Sequence, residues 1–309
     1  MELRPLGFGE IFDRAITLYL RNFKQFFAIV LVVLVPYAFV QYAVDAQQST
    51  QFEALFWVFK HPHDPLPASF TTPQSPAQIF LYIGIAIAFY AIWIVTVAAV
   101  SVGVARLYRG RPVEFQACYR VALSRWPAML GMLIWDLALL VLWYLLVLVV
   151  AVLSFLLAAL LSKASVVSGV IVFIIAIVLT LAALASALPL FVALTCSMYA
   201  IPIERVGPMA ALASGFSRIF SGAEFWRATL FAIAALAAAV AGSALVGVVT
   251  ALLVFEHWLI PAVALSTLMN AAIAPFSIVL LAVYYFDVRI RREGYDLEAE
   301  LERVAAGPA

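Results

Sequence analysis

Six long stretches of this chain are almost free of Asp, Glu, Lys and Arg: residues 25–44, 79–105, 126–162, 164–203, 228–255 and 257–286. A helix needs about 20 apolar residues to cross a bilayer core of about 30 Å, and each stretch reaches that length. Only Asp136 interrupts one of them. Of the 309 residues, 66% are apolar and 11% charged, whereas soluble domains carry about a quarter charged residues. That is too little charge to cover a water-facing surface, so a soluble globule is excluded and lipid is the solvent. The net charge of +1 gives no basic excess, and no nucleic-acid partner is expected.

The third and fourth stretches are nearly twice the minimum length, which raises the question of a hidden hairpin. In the third, no Gly, Pro or Asn lies between Leu133 and Leu161 to turn the chain. Six spans also give a clean alternation of charge. Of the 18 Lys and Arg residues, sixteen fall before span one, after spans two, four and six, and only Lys60 and Lys163 fall on the other side. By the positive-inside rule both termini are cytoplasmic. The charged first 25 residues lack a cleavage pattern, so an uncleaved N-terminus is expected. Cys118 and Cys196 fall in or near cytoplasmic segments, where no disulfide is expected.

Each cytoplasmic segment before an odd-numbered span has the spacing of a short amphipathic helix. In the first, Phe8, Ile11, Phe12, Ala15, Ile16, Tyr19 and Phe23 share a face, and Glu10 and Arg14 have i, i+4 spacing. The second, 112–126, places Phe115, Cys118, Tyr119, Ala122 and Trp126 inward. The third, 206–220, starts near Pro208 and places Met209, Leu212, Phe216, Ile219 and Phe220 on one side. These segments recur about every 100 residues. The sequence therefore predicts an all-α polytopic membrane helix bundle, six transmembrane helices in three hairpins with cytoplasmic interfacial helices, forming one integral membrane domain over 1–309. Its repeat-like units cover about 5–105, 106–203 and 204–290, with a short tail at 291–309.

The opening LRPLGFGEIFDRAITLYLRNFKQFF (3–27) and the closing YYFDVRIRREGYDLE (284–298) resemble the matching ends of the glycerophosphoryl diester phosphodiesterase membrane-domain family. The resemblance extends to the six-span layout. It implies a bacterial inner-membrane protein of a kind that sometimes precedes a phosphodiesterase barrel and often stands alone. Only 23 residues follow Phe286, so no such barrel is expected on this chain.

Asp136, about ten residues past Arg125, sits near half depth in its span, where a carboxyl is costly and marks a functional candidate by default. A structural reading has it bonded to a hydroxyl or backbone group of a neighbouring helix. Arg14, Arg21, Arg125, Arg218, Arg289, Arg291 and Arg292 are candidate headgroup ligands at the cytoplasmic face, where anionic lipids attract each charge by about 1 kcal/mol. Asp287 with Arg291, and Arg289 with Glu293, have i, i+4 spacing, and Gly294 is expected to end that helix. On the opposite side, His61, His63 and Asp64 could meet Glu256 and His257 around a metal if the loops touched, but no metal-ligand spacing occurs. Residues 51–60 read as an outer interfacial helix or lid, followed by a Pro-rich cap. Pro36, Pro189 and Pro275 should kink spans one, four and six. Gly242 and Gly247 suggest that span five is central.

No nucleophile elbow, phosphate loop, dinucleotide fingerprint or Cys-based metal motif occurs. The expected function is that of a non-enzymatic membrane scaffold or accessory protein engaging lipid headgroups or a protein partner at the cytoplasmic face, with no cofactor. The alternative is a transporter or channel for a lipid-like or small amphipathic substrate, with Asp136 in its path. A weaker third class is an intramembrane enzyme using the outer His and acidic residues.

Overall fold

A computed structural model describes residues 4–61, 75–163, 165–255 and 258–294. Among these residues every regular element is a helix, with no strand. In order they are α1 (Phe8–Arg21), α2 (Phe23–Lys60), α3 (Pro76–Tyr108), α4 (Phe115–Ser124), α5 (Trp126–Ser162), α6 (Val166–Ala185), α7 (Ala187–Glu204), α8 (Pro208–Ile219), α9 (Ala223–Phe255) and α10 (Leu259–Glu293). Among the described residues six segments are long and apolar enough to cross a membrane: Phe23–Ala43, Pro76–Tyr108, Trp126–Ser162, Val166–Glu204, Ala223–Val254 and Leu259–Glu293. The protein is a multi-pass helical membrane protein. The Pro-rich cap, His63, Asp64, Glu256, His257, and the tail beyond Gly294 lie outside the described residues.

The helix boundaries follow local chemistry. Ser75 caps α3 by accepting from the Gln78 N–H while the Gln78 side chain reaches back to the Ser75 N–H, with Pro76 in the first turn. Pro208 opens α8, and Gly294, at φ +65°, ends α10. Third-stretch continuity holds: α5 is one 37-residue helix, about 55 Å long at 1.5 Å per residue.

Proline acts differently in the three spans. Span four is divided at Ser186 into α6 and α7, three residues before Pro189, where proline removes the backbone donor that would continue the earlier helix. The Trp143 indole N–H donates to the Ser186 hydroxyl at 3.0 Å across that break. Pro36 and Pro275 instead lie inside unbroken helices. The outer segment 51–60 is not a separate helix, because α2 runs through it; no Gly or Pro between Pro36 and Lys60 stops it.

Two compact units emerge from the packing. One comprises Met1–Phe12, Leu123–Ala237 and Leu280–Ala309; the other comprises Asp13–Ala122 and Ala238–Val279. In the first, α8 lies against α7 through small residues: Ala211 and Gly215 are buried, and a Cβ on Gly215 would collide with the Ala193 carbonyl and Ser197. Met209 and Phe220, expected to face inward, are exposed at 57% and 45%. In lipid, bulky apolar side chains have no need to hide, and close helix approach selects the small face instead. In the second unit, α2 and α3 meet where Gly103 leaves room for the Phe26 ring. Buried Ile11 and Ala15 keep the expected face of α1, whereas Phe8, Ile16 and Phe23 are exposed and Leu18 is buried. On α4, Cys118 and Ala122 are buried and Phe115 is exposed; Trp126 just beyond it is exposed too.

Span five is not the buried one. Only 17% of its most apolar window is buried, against 67% for span six. Gly242 does allow close approach, since a Cβ there would press on Ile273 at 2.8 Å, but Gly247 faces open space.

Candidate functional site: two charged seams on the last helix

The sequence YYFDVRIRRE at the end of α10 divides by helical periodicity into two rows. Tyr284, Asp287 and Arg291 form one; Tyr285, Arg289 and Glu293 form the other. Each row meets a different set of partners in the first unit.

Asp287 is fully buried and accepts three donors: the Leu6 N–H at 2.6 Å, Arg291 Nε at 3.0 Å and Arg227 of α9. The same two arginines donate to the Leu6 carbonyl, Arg227 at 3.1 Å. Both backbone groups of Leu6 are thereby held by side chains more than 200 residues away in sequence. Glu224 stands 3.5 Å from Arg227 one turn earlier on α9. Below this cluster Phe231 stacks on Tyr284 at 4.1 Å, and Phe8 and Phe12 pack on Phe231. The N-terminal segment is held as well by Glu10, which accepts from the Gly7 N–H at 2.7 Å and pairs with Arg4 at 2.6 Å.

The second row meets α7 and α8. Arg218 pairs with Glu204 at 2.8 Å and with Glu293 at 2.6 Å, and Glu293 also takes Arg289 at 2.9 Å. The Tyr285 hydroxyl donates to Glu204, and the Tyr285 ring lies edge-on to Tyr199 and under the Arg218 guanidinium. Burial works against the Arg218 charge, but hydrogen bonds to Glu204 and Glu293 outweigh it and hold its pKa above the ordinary value. Arg292 donates from Nη1 to the Ser217 and Arg218 carbonyls, both at 2.9 Å, which satisfies the last turn of α8.

These contacts place the sequence-derived candidates. The i, i+4 pairs Asp287–Arg291 and Arg289–Glu293 form as their spacing predicts. Arg218 and Arg289, read as headgroup ligands, turn inward instead: they are 5% and 8% exposed and face Glu204 and Glu293. A guanidinium turned inward and held by two carboxylates is not presented to a phosphate. Arg291 and Arg292 are exposed at their ends yet are engaged by Asp287, Leu6 and the end of α8. Arg21 is exposed at the end of α1; Arg14 and Arg125 are half-buried.

Asp136 stands apart from both seams. Its Oδ1 is buried and has no hydrogen-bond partner among the described residues, so the hydroxyl or backbone partner expected for it is not found there. Its neighbours one helical turn away on α5 are Met132, which is buried, Leu133 and Leu139, which are half-buried, and Leu140, which is exposed, so the face around it is apolar. Sequence reasoning missed Leu6, Glu204, Glu224 and Arg227 as members of the seams. Leu6 carries no charge, and no helical spacing ties Glu204, Glu224 or Arg227 to the residues of α10. Cys118 and Cys196 are free and buried, and burial pushes the Cys118 thiol up to about 11 against the pull of Arg106.

No protein-family model, curated protein or solved structure matches this chain.

Proposed function

We propose that this chain is a non-enzymatic scaffold or accessory protein of a bacterial inner membrane, with both termini cytoplasmic, engaging anionic lipid headgroups or a partner protein through exposed basic residues. The observation that carries the reading is the way charge is used in the seams. Asp287, Glu204 and Glu293 are each matched by arginines, an arrangement suited to locking helices together. Exposed Arg21, Lys24, Arg109, Arg111 and Arg120 lie at helix ends, in the α3–α4 connection or on α4, where positive charge attracts anionic lipid by about 1 kcal/mol per residue. The resemblance of residues 3–27 and 284–298 to the phosphodiesterase membrane-domain family, which includes stand-alone members, agrees with this reading.

Native mass spectrometry of the protein released from nanodiscs tests it. Phosphatidylglycerol should remain bound in preference to phosphatidylcholine, and changing Arg21, Arg109, Arg111 and Arg120 to Gln should remove the preference. Equal retention of the two lipids would overturn headgroup engagement. A second reading, transport of a small amphipathic substrate, is favoured by the Asp136 Oδ1, which has no hydrogen-bond partner among the described residues. It requires that Asp136→Asn fold normally and abolish proton-coupled substrate uptake into proteoliposomes.

A further inference from the structure

Within the second unit, α2, α3 and the first half of α10 enclose a cleft of about 340 Å³, at the small end of the range for ligand sites. One wall is aromatic. Tyr37 stacks on Phe89 with ring centroids 3.8 Å apart, and Phe89 stacks on Trp93 at 5.9 Å, both tilted by 27°. The facing side carries Gln41 of α2 and Thr267 and Asn270 of α10. All six belong to membrane-spanning segments, where a polar group without a partner is costly.

Much of the hydrogen-bonding capacity in this cleft is unused. Thr267 donates to the Val263 carbonyl at 2.7 Å and Asn270 to the Ser266 carbonyl at 2.9 Å. That leaves the Thr267 oxygen as an acceptor, with the second Asn270 N–H and its amide oxygen. The Tyr37 hydroxyl, the Gln41 amide and the Trp93 indole N–H make no hydrogen bond among the described residues. Among the described lining residues there is no Lys, Arg, Asp or Glu.

We infer that this cleft binds a neutral membrane-dissolved ligand with a flat ring bearing carbonyl oxygens, the chemistry of a lipid-soluble quinone. Each part of the site selects one part of that ligand. The stacked wall offers a face to a planar ring. The N–H and O–H groups of Gln41, Asn270, Tyr37 and Trp93 offer donors to carbonyl oxygens. With no charged residue among its described lining residues, the cleft offers there no cation to recognise a phosphate or a carboxylate. Its position in the spans requires a ligand that arrives through lipid with an apolar tail. The site is in a different unit from the charged seams and does not depend on headgroup engagement.

Tryptophan fluorescence of the full chain in nanodiscs, titrated with decyl-benzoquinone, tests the inference. Saturable quenching is expected, with its amplitude reduced in Trp93→Phe. Gln41→Leu combined with Asn270→Leu should weaken binding by roughly tenfold or more, the effect of losing one or two hydrogen bonds in a dry site. Decylbenzene, which keeps the ring and tail but lacks carbonyls, should compete poorly. That comparison uses the unaltered protein and stands even if the double variant fails to fold. Non-saturable quenching, quenching unchanged by Trp93→Phe, or equal competition by decylbenzene would overturn the assignment. A lipid-headgroup preference lost while quinone binding persists would remove the scaffold proposal and leave this one standing.

Discussion

Asp287 and Asp136 are both carboxylates on long apolar helices, and they are treated in opposite ways. Asp287 is fully buried and receives a backbone N–H and two guanidinium groups. Asp136 has a buried oxygen with no partner among the described residues. A buried charge is tolerated when its neighbours were arranged to meet it, and the cost of such a site appears when one partner is removed. Asp287 therefore acts as a joint between the start of the chain and its last span. Asp136 is a cost that the surrounding α5 surface does not offset.

Removing each carboxyl should consequently move stability in opposite directions. Asp287→Ala leaves the Leu6 N–H without its acceptor and takes the carboxylate from Arg227 and Arg291, which keep only the Leu6 carbonyl and, for Arg227, Glu224, and the expected loss is about 3–5 kcal/mol, read by denaturant titration in detergent micelles. Asp287→Asn restores an acceptor for Leu6 without the charge and should recover only part of that loss. If Asp287→Ala were neutral, the comparison would collapse, because the seam would then add nothing to the fold.

Arg218→Ala is the next largest perturbation. It takes one guanidinium from Glu204, which keeps the Tyr285 hydroxyl, and from Glu293, which keeps Arg289 and is about a third exposed, so about 2–3 kcal/mol is expected. A double-mutant cycle with Glu204→Gln should show coupling of about 1–3 kcal/mol. Additive losses would mean that the two groups are close without acting on each other.

Asp136→Leu should leave stability unchanged or raise it by about 1–3 kcal/mol, because it removes an unsatisfied buried polar atom from apolar surroundings. A loss of similar size would sharpen the comparison differently, revealing that Asp136 is held by water or a substrate and favouring transport.

Sequence alone carried the membrane architecture a long way, since charge-free length is a one-dimensional signal and the six spans follow from it. The i, i+4 pairs on α10 were legible for the same reason. What could not be read was which apolar face turns inward. On α8 the bulky Met209, and Phe220 at its end, face outward while Ala211 and Gly215 pack, because in lipid burial selects small residues and not large ones. Gly242 and Gly247 likewise pointed to span five, although span six is the buried one. The seam itself depends on Leu6 meeting Asp287 across 281 positions, and no periodicity records a contact at that separation. The cleft residues Gln41 and Asn270 drew no notice, since isolated amides carry no spacing.

The smallest effect separates a charged joint from a neutral one. In the second unit the Tyr19 hydroxyl, in α1, donates to the Ala272 carbonyl, and burial pushes its pKa up to about 12. The folded state thus keeps the proton over a range in which an unfolded tyrosine, with its ordinary value of 10.0, releases it. Stability tied to this group is complete below pH 10 and declines as pH rises toward 12, where the folded state begins to ionise as well. Tyr19→Phe should cost about 1 kcal/mol at neutral pH for the lost hydrogen bond and should flatten the alkaline decline. The test is unfolding of the unaltered protein and the Tyr19→Phe variant, each measured at about pH 8 and about pH 11, on either side of the ordinary tyrosine value. The stability gap between the two should narrow at the higher pH, because only the protein that keeps the hydroxyl loses stability there. A gap that stays constant would mean that Tyr19 is solvated and that its hydroxyl is no joint at all.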